Sequence, residues 1–204
     1  MKNLLILFIL LSFHLSAQKV DKKDEKTKSY NSIINNEATT DQGLFKVHKK
    51  GDEYYYEIHP SQLNQEMLMV TRIAKTINGI GYGGQKINSQ VLRWQKKSNQ
   101  ILLRIVSYEN IASDSLPIYE SVRNSNFEPI LYAFEIETHN PEDSSVLINV
   151  SPLFNTDVKA LGFPQFRRKS LNITSLDKKR SFIESIKSFP TNIEVRNVLT
   201  YIST

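Results

Sequence analysis

Histidines, a glycine-dense loop and a pair of facing arginines are the features of this 204-residue chain whose types and spacing could do chemistry. His48 and His59 flank a hairpin turn at Gly51-Asp52, where glycine accepts a positive φ. In that register His59 lies opposite Leu44, four residues along the strand from His48. At about 3.3 Å per residue the two imidazoles are roughly 13 Å apart, too far for one ion. His14 falls in the apolar leader and His139 at a strand end. With no cysteine and no H-E-x-x-H helix, the chain lacks a standard zinc site. It also offers no catalytic motif, so no catalytic, metal-ligating or cofactor-binding residue is assigned.

The glycine loop runs Asn78-Gly79-Ile80-Gly81-Tyr82-Gly83-Gly84. A phosphate cradle needs G-x-x-x-x-G-K-[ST], or G-x-G-x-x-G opening a helix. Here the third glycine is out of place and a strand-like run follows, which argues against a nucleotide. Gly81, Tyr82, Gly83 and Gly84 are instead candidates for contact with a substrate or a neighbouring domain, because glycine permits close backbone approach. Arg93 opposes Arg104 in a second hairpin around Ser98-Asn99, an unfavourable pair unless a carboxylate such as Glu66 lies near or the two hold an anion.

The elements that must position these residues are mostly strands. In the first hairpin Phe45 faces Ile58 and Val47 faces Tyr56, with Lys46–Glu57 and His48–Tyr55 on the reverse side. Glu66 to Thr76 alternates, as does Ile87 to Lys96. The second hairpin sets Trp94 against Leu103 and Leu92 against Ile105. Between strand blocks, Ser113 to Ile130 reads as a short helix with Pro117 in its first turn and Ile118 and Val122 on a face that covers the sheet. Strands follow at Ile130 to Glu137 and Val146 to Val150, and Ser151-Pro152 starts a short turn. Asp177 or Ser181 caps a last helix carrying Phe182, Ile183, Ile186 and Phe189, and Ile193 to Tyr201 alternates as a final strand. The fold class expected is α+β, mainly antiparallel hairpins with a few short helices, whether as barrel or as sandwich.

Residues 1–17 read as a signal peptide: Lys2, an apolar run from Leu4 to Leu15, then Ser16-Ala17-Gln18 for cleavage. The run falls short of the roughly 20 residues of a membrane span, although an uncleaved anchor is the alternative. Export without cysteine suits a bacterial periplasmic or secreted protein. Residues 18–42 form a charged linker and short helix, with Lys19 to Lys28 nearly all charged, and 43–204 a β-rich domain. The formal charge of +5 raises the question of nucleic acid. Export and the dispersal of the basic residues argue against it, and Arg167-Arg168-Lys169 and Lys178-Lys179-Arg180 read as solvated surface.

Several stretches carry a family resemblance: G-L-F-K-V-H-K from Gly43, E-M-L-M-V-T-R-I-A-K-T from Glu66 and G-Y-G-G-Q-K-I-N from Gly81. P-I-Y-E-S-V-R-N-S-N-F-E-P-I from Pro117 and D-K-K-R-S-F-I-E-S-I-K-S-F-P-T-N-I-E-V-R from Asp177 extend it over nearly the whole mature chain. Together they resemble the amino-terminal region of large secreted bacterial zinc-dependent metalloproteases, in which domains of unknown function precede a metzincin-like catalytic domain. The resemblance implies that zinc and its activated water belong to that later domain in full-length relatives. No position here matches the zinc motif. The implied role is a non-catalytic accessory module, a truncated relative or fragment whose partner is the downstream catalytic domain. The alternative is a self-standing envelope or secreted protein that holds a peptide or polysaccharide through the glycine loop and exposed aromatics such as Tyr54 and Tyr82.

Overall fold

The structure is a computed structural model that describes residues 29–204, so the expected signal peptide and the charged run to Lys28 lie outside the described residues. A four-residue helix α1 (Tyr30–Ile33) leads into β1 (Thr39–Asp41), β2 (Lys46–Lys50), β3 (Glu53–Ile58), β4 (Glu66–Arg72), β5 (Lys86–Lys97) and β6 (Gln100–Val106). Helix α2 (Tyr119–Ser125) precedes β7 (Ile130–His139) and β8 (Val146–Asn149). These eight strands form one sheet in the order β1-β2-β3-β8-β7-β6-β5-β4, antiparallel at every pairing.

Two meanders, β1 to β3 and β4 to β8, are thus stitched together only by β3 against β8. The connection from β3 to β4 must pass five strand spacings, about 24 Å along a flat sheet. Residues 59–65 make that passage while spending Pro60–Gln62 on a 3-10 turn. The sheet meets this demand by curling into a half-barrel. Gln62 then donates to the Leu44 carbonyl, and the Asn64 amide donates to the Trp94 carbonyl at 2.7 Å, binding the passage to both meanders.

Both hairpins take the register that the sequence predicts. Lys46 pairs with Glu57, Val47 with Tyr56 and His48 with Tyr55; Leu92 pairs with Ile105, Arg93 with Arg104 and Trp94 with Leu103. Alternation along those strands sends Phe45, Tyr56, Ile58, Trp94, Leu103, Phe134 and Ile148 to the inner face, all buried. The opposite face holds a smaller core of Ile33, Tyr55 and Leu147. Residues 30–41, read from the sequence within the linker, therefore contribute a buried isoleucine and an edge strand.

The remaining elements sit over the inner face. They are α3 (Ser151–Asn155), α4 (Gln165–Ser170), β9 (Ile173–Leu176), β10 (Phe182–Ser188), β11 (Ile193–Val198) and β12 (Tyr201–Ser203), with β10 pairing β11 and β9 pairing β12. Three expectations are corrected here. Residues 182–188 form strand β10 and not a helix. Its pairing with β11 shifts between Ile183 and Ser185, so the extra residue turns a spacing of two into the three that separates Ile183 from Ile186 and imitates a helical stripe. Asp177 does cap, but it caps a 3-10 turn over Lys178–Arg180. The final strand is two strands, broken at Leu199-Thr200 because β12 leaves β10 to pair with β9.

Helix α2 is shorter than expected and does not cover the sheet. It buries none of its residues, and Leu116, Ile118 and Phe127 around it are exposed. Pro117 lies before its first turn. The molecule is accordingly β-rich with a few short helices, and α+β describes it only loosely. No helix among the described residues is long and apolar enough to cross a membrane.

Strand β10 is fastened to the rim of the main sheet at Gly43. The Leu44 amide donates to the Phe189 carbonyl at 2.7 Å, and the Ser188 hydroxyl donates to the Phe45 carbonyl at 2.7 Å. A Cβ on Gly43 would lie 2.6 Å from the Phe189 carbonyl oxygen, inside contact distance of backbone. Gly43→Ala should therefore cost about 1–3 kcal/mol, the usual penalty for overpacking. A lower urea midpoint at constant slope is the expected readout; an unchanged midpoint would mean that β10 does not seat there.

Candidate functional site

The curled sheet and the strands above it enclose an open groove of about 1260 Å³. Its floor is the inner face of the sheet, with Met67, Met69, Leu92, Trp94 and Leu103, and its far wall is Phe154, Ile193 and Val195. The apolar lining follows from period-two alternation: each strand sends every second side chain inward, and those positions carry large hydrophobes. Glu66, Arg72, Lys75, Glu184 and Arg196 also border it. A long, apolar, open cleft with charges of both signs at its margin is suited to holding a chain or another domain.

Beside the groove, α4 is tied to the segment after α3 by a part-buried ion pair. Arg168, 8 % exposed, donates from Nη1 to Asp157 Oδ2 at 2.8 Å and from Nη2 to Oδ1, with its Nε on the Phe163 carbonyl at 2.9 Å. Its guanidinium also lies over the Tyr201 ring. The Arg168 hydrogen bonds hold the Asp157 carboxyl below its usual range against the opposing effect of burial. Arg168 is thus no part of a solvated basic surface, contrary to the sequence reading. Lys178, Lys179 and Arg180 are exposed as expected, with Arg180 on Asp177 at 2.8 Å.

The glycine loop between β4 and β5 borders the groove through Ile77 and Ile80; Gly81, Tyr82, Gly83 and Gly84 are not in its lining. The close approach that the glycines allow is met by the protein's own groups. A Cβ on Gly81 would sit 2.7 Å from the Arg167 guanidinium and 2.8 Å from Gln85 Oε1, and one on Gly83 would sit 2.8 Å from the Ala74 carbonyl. Arg167 Nη2 reaches over to donate to the Ile80 carbonyl at 3.0 Å. Tyr82 is 68 % exposed, whereas Tyr54 is buried in the core, correcting its reading as an exposed aromatic.

The two facing arginines find different partners. Arg93 sits between Glu128, at 2.8 and 3.0 Å, and Glu66, at 2.6 Å. Arg104 donates to Gln95 and to the Glu128 carbonyl, both at 2.7 Å, and its guanidinium lies over Phe127. The carboxylate pairing expected for Arg93 holds, and Arg104 is held by neutral acceptors.

Periodicity missed the densest polar cluster. Glu57 has a fully buried side chain on the face of the sheet opposite the groove. It accepts hydrogen bonds from His48 Nε2 at 2.8 Å, Lys46 Nζ at 2.6 Å, Tyr30 OH at 2.6 Å and Asn140 Nδ2 at 2.8 Å. Burial alone would raise this carboxyl, yet the four donors outweigh it and hold Glu57 well below the usual carboxylate range. Because an ionised carboxylate only accepts, His48 Nε2 carries the proton, and Nδ1 faces the Thr40 hydroxyl at 2.8 Å. Hydroxyl, imidazole and carboxylate in series resemble a nucleophile relay. None of the three borders the groove, and each sits in regular strand, so the series works as a strut that ties α1, β1, β2, β3 and the turn after β7 together. The sequence signal was the predicted Lys46–Glu57 pair on the reverse side of the hairpin.

No group of three or more His, Cys, Asp or Glu side chains is placed to hold a metal among the described residues, and both nitrogens of His48 are engaged. His139 is close to Lys96 Nζ at 3.1 Å, and burial, aided by that cation, lowers its affinity for a proton.

Comparison with known proteins adds a family and no activity. A family model described as Domain of unknown function (DUF5117) matches residues 84–204, more than half of the chain, and one described as Domain of unknown function (DUF5118) matches residues 27–76. No curated protein and no solved structure matches the chain.

Replacing Glu57 by Gln should cost about 1–3 kcal/mol at neutral pH, since it leaves buried donors such as His48 Nε2 and Asn140 Nδ2 short of a carboxylate acceptor, while Lys46 stays part-exposed. The sign with pH follows from the depressed carboxyl. Its stabilisation is complete above the unfolded glutamate pKa, about 4.3, and fades as pH falls towards the lower folded value. Urea melts of the two proteins should therefore converge on acidification below about pH 4.3; a gap that widens there would contradict the charged state assigned to Glu57.

Proposed function

Because the chain belongs to the family of the domain of unknown function DUF5117, we propose that it is the non-catalytic amino-terminal module of a secreted zinc-dependent metalloprotease-like protein. The observation that carries this reading is the open apolar groove. It offers a large surface to bind against, and among the described residues no group of three or more possible metal ligands lies along it. The sequence resemblance supplies the partner: a downstream catalytic domain, which brings the zinc and the general base, while this module packs beside its cleft and shapes it. Leu116, Ile118 and Phe127, exposed around α2, add apolar surface for such packing. Export by the leader, with cleavage near Ala17, places the module in the periplasm or outside the cell.

A second reading is a self-standing secreted or envelope protein that holds an extended peptide or a polysaccharide in the groove. The exposed Tyr82 beside the groove favours it, since an exposed ring is a platform for a sugar or an apolar side chain.

Two measurements separate these readings. In the coding sequence beyond the Thr204 codon, an in-frame H-E-x-x-H motif is expected for the accessory module, and an immediate stop would favour the self-standing protein. Purified chain supplied with zinc should hydrolyse an unstructured protein substrate no faster than buffer does. Hydrolysis that a chelator abolishes would overturn the non-catalytic assignment.

A further inference from the structure

The half-barrel leaves two strand edges open, and they differ in kind. Strand β1 is three residues long, and its Asp41 carboxylate is engaged by the Ser188 amide at 2.9 Å. Strand β4 runs seven residues, Glu66-Met-Leu-Met-Val-Thr-Arg72, with neither proline nor lysine. It pairs with β5 on one side, and no strand among the described residues pairs with the other. The one irregularity of that pairing, between Thr71 and Arg72, places its extra residue in β5, so β4 itself stays regular. Proteins usually blunt such an edge with charge, proline or a bulge, because an open edge recruits another strand.

The sequence of β4 is complementary to itself read backwards. In an antiparallel pairing centred on Met69, Glu66 falls opposite Arg72 of a second copy and Leu68 falls opposite Val70. Side chains 66, 68, 70 and 72 all lie on the exposed face of the strand. Leu68 is 68 % exposed and Val70 42 %, so the pairing would cover two large hydrophobes that the monomer leaves in water. The charges also fit. Arg72 donates to the Gly84 carbonyl at 3.1 Å and has no acidic partner among the described residues. Glu66, although held by Arg93 and Tyr108, keeps 37 % of its side chain exposed. On the inner side, Met67 and Met69 of the second copy would extend the apolar floor of the groove.

We infer that β4 is a self-association edge, through which two copies of this chain pair antiparallel about a two-fold axis at Met69 and join their sheets. The contact is isologous: each copy gives and receives the same Glu66–Arg72 and Leu68–Val70 pairs. One seven-residue strand pair is a small interface, so the dimer is reversible and concentration-dependent.

Sedimentation velocity on the mature chain should show a monomer–dimer equilibrium between about 1 and about 100 µM, the range in which small interfaces dissociate. Leu68→Lys should raise the dissociation constant at least about tenfold, since it places like charges beside the axis. The natural chain has no cysteine, which permits a more direct test. Residues directly opposite in an antiparallel pair have Cβ atoms about 4.5–5.5 Å apart, so Met69→Cys should form a disulfide-linked dimer under mild oxidation. Leu116→Cys, exposed elsewhere on the molecule, should cross-link far more slowly. A chain that stays monomeric at the highest concentration, or cysteines at 69 and 116 that cross-link at the same rate, would overturn the proposal. So would a monomer whose β4 edge captures an unrelated extended peptide instead.

Discussion

Everything on the inner face depends on the packing of one indole. The Trp94 ring lies 5.9 Å from Phe45, 6.1 Å from Tyr56 and 5.6 Å from Phe134 between centroids, the first two contacts edge-on. Those rings come from both meanders, so the cluster closes the curl as well as filling it. Aromatic pairs of this geometry contribute about 0.5–1.5 kcal/mol each beyond the area they bury. The Trp94 carbonyl accepts the Asn64 amide of the passage from β3 to β4, so the same residue anchors the connection that makes curling necessary. The groove is what remains of the half-barrel where this cluster stops and the sheet stays open.

The opposite face is organised by charge. Glu57 gathers four donors from three separate segments and is fully buried. Buried carboxylates are expensive unless all their acceptor sites are used, and here they are used by groups that hold the amino-terminal helix and first strand on the sheet. The two faces thus divide the work, apolar rings setting curvature and polar bonds setting the attachment of α1 and β1.

The hairpins were legible because their information is local. A two-residue turn fixes the register, and the register fixes which of Phe45, Val47, Trp94 or Leu103 faces in. What failed needed knowledge of distant partners. In a hairpin alone nothing marks His48 and Glu57 as buried, and their burial is completed by Tyr30 and Asn140 from elsewhere in the chain. Strand β10 was hidden by its own bulge, since the shift beside Ser185 gives hydrophobic spacing a helical look. Helix α2 had the right residues for a packed helix, but nothing in them states whether the sheet comes near. The glycine loop announced close backbone approach correctly and left open that Arg167 and Ala74 would be the groups approaching. Its contact role, like the groove, depends on tertiary neighbours that spacing does not encode.

The two matched family segments end and begin on either side of the glycine loop, at residues 76 and 84, yet β4 and β5 on its two sides are hydrogen-bonded neighbours. More consequential is the seam between β3 and β8, where Tyr55 pairs with Asn149. The first meander is synthesised early and cannot be completed until a strand nearly a hundred residues later has been made. Loop closure over that distance comes before any of the contacts that reward it. The leading hairpin therefore gains its neighbour in the sheet on the β3 side only once β8 has been made.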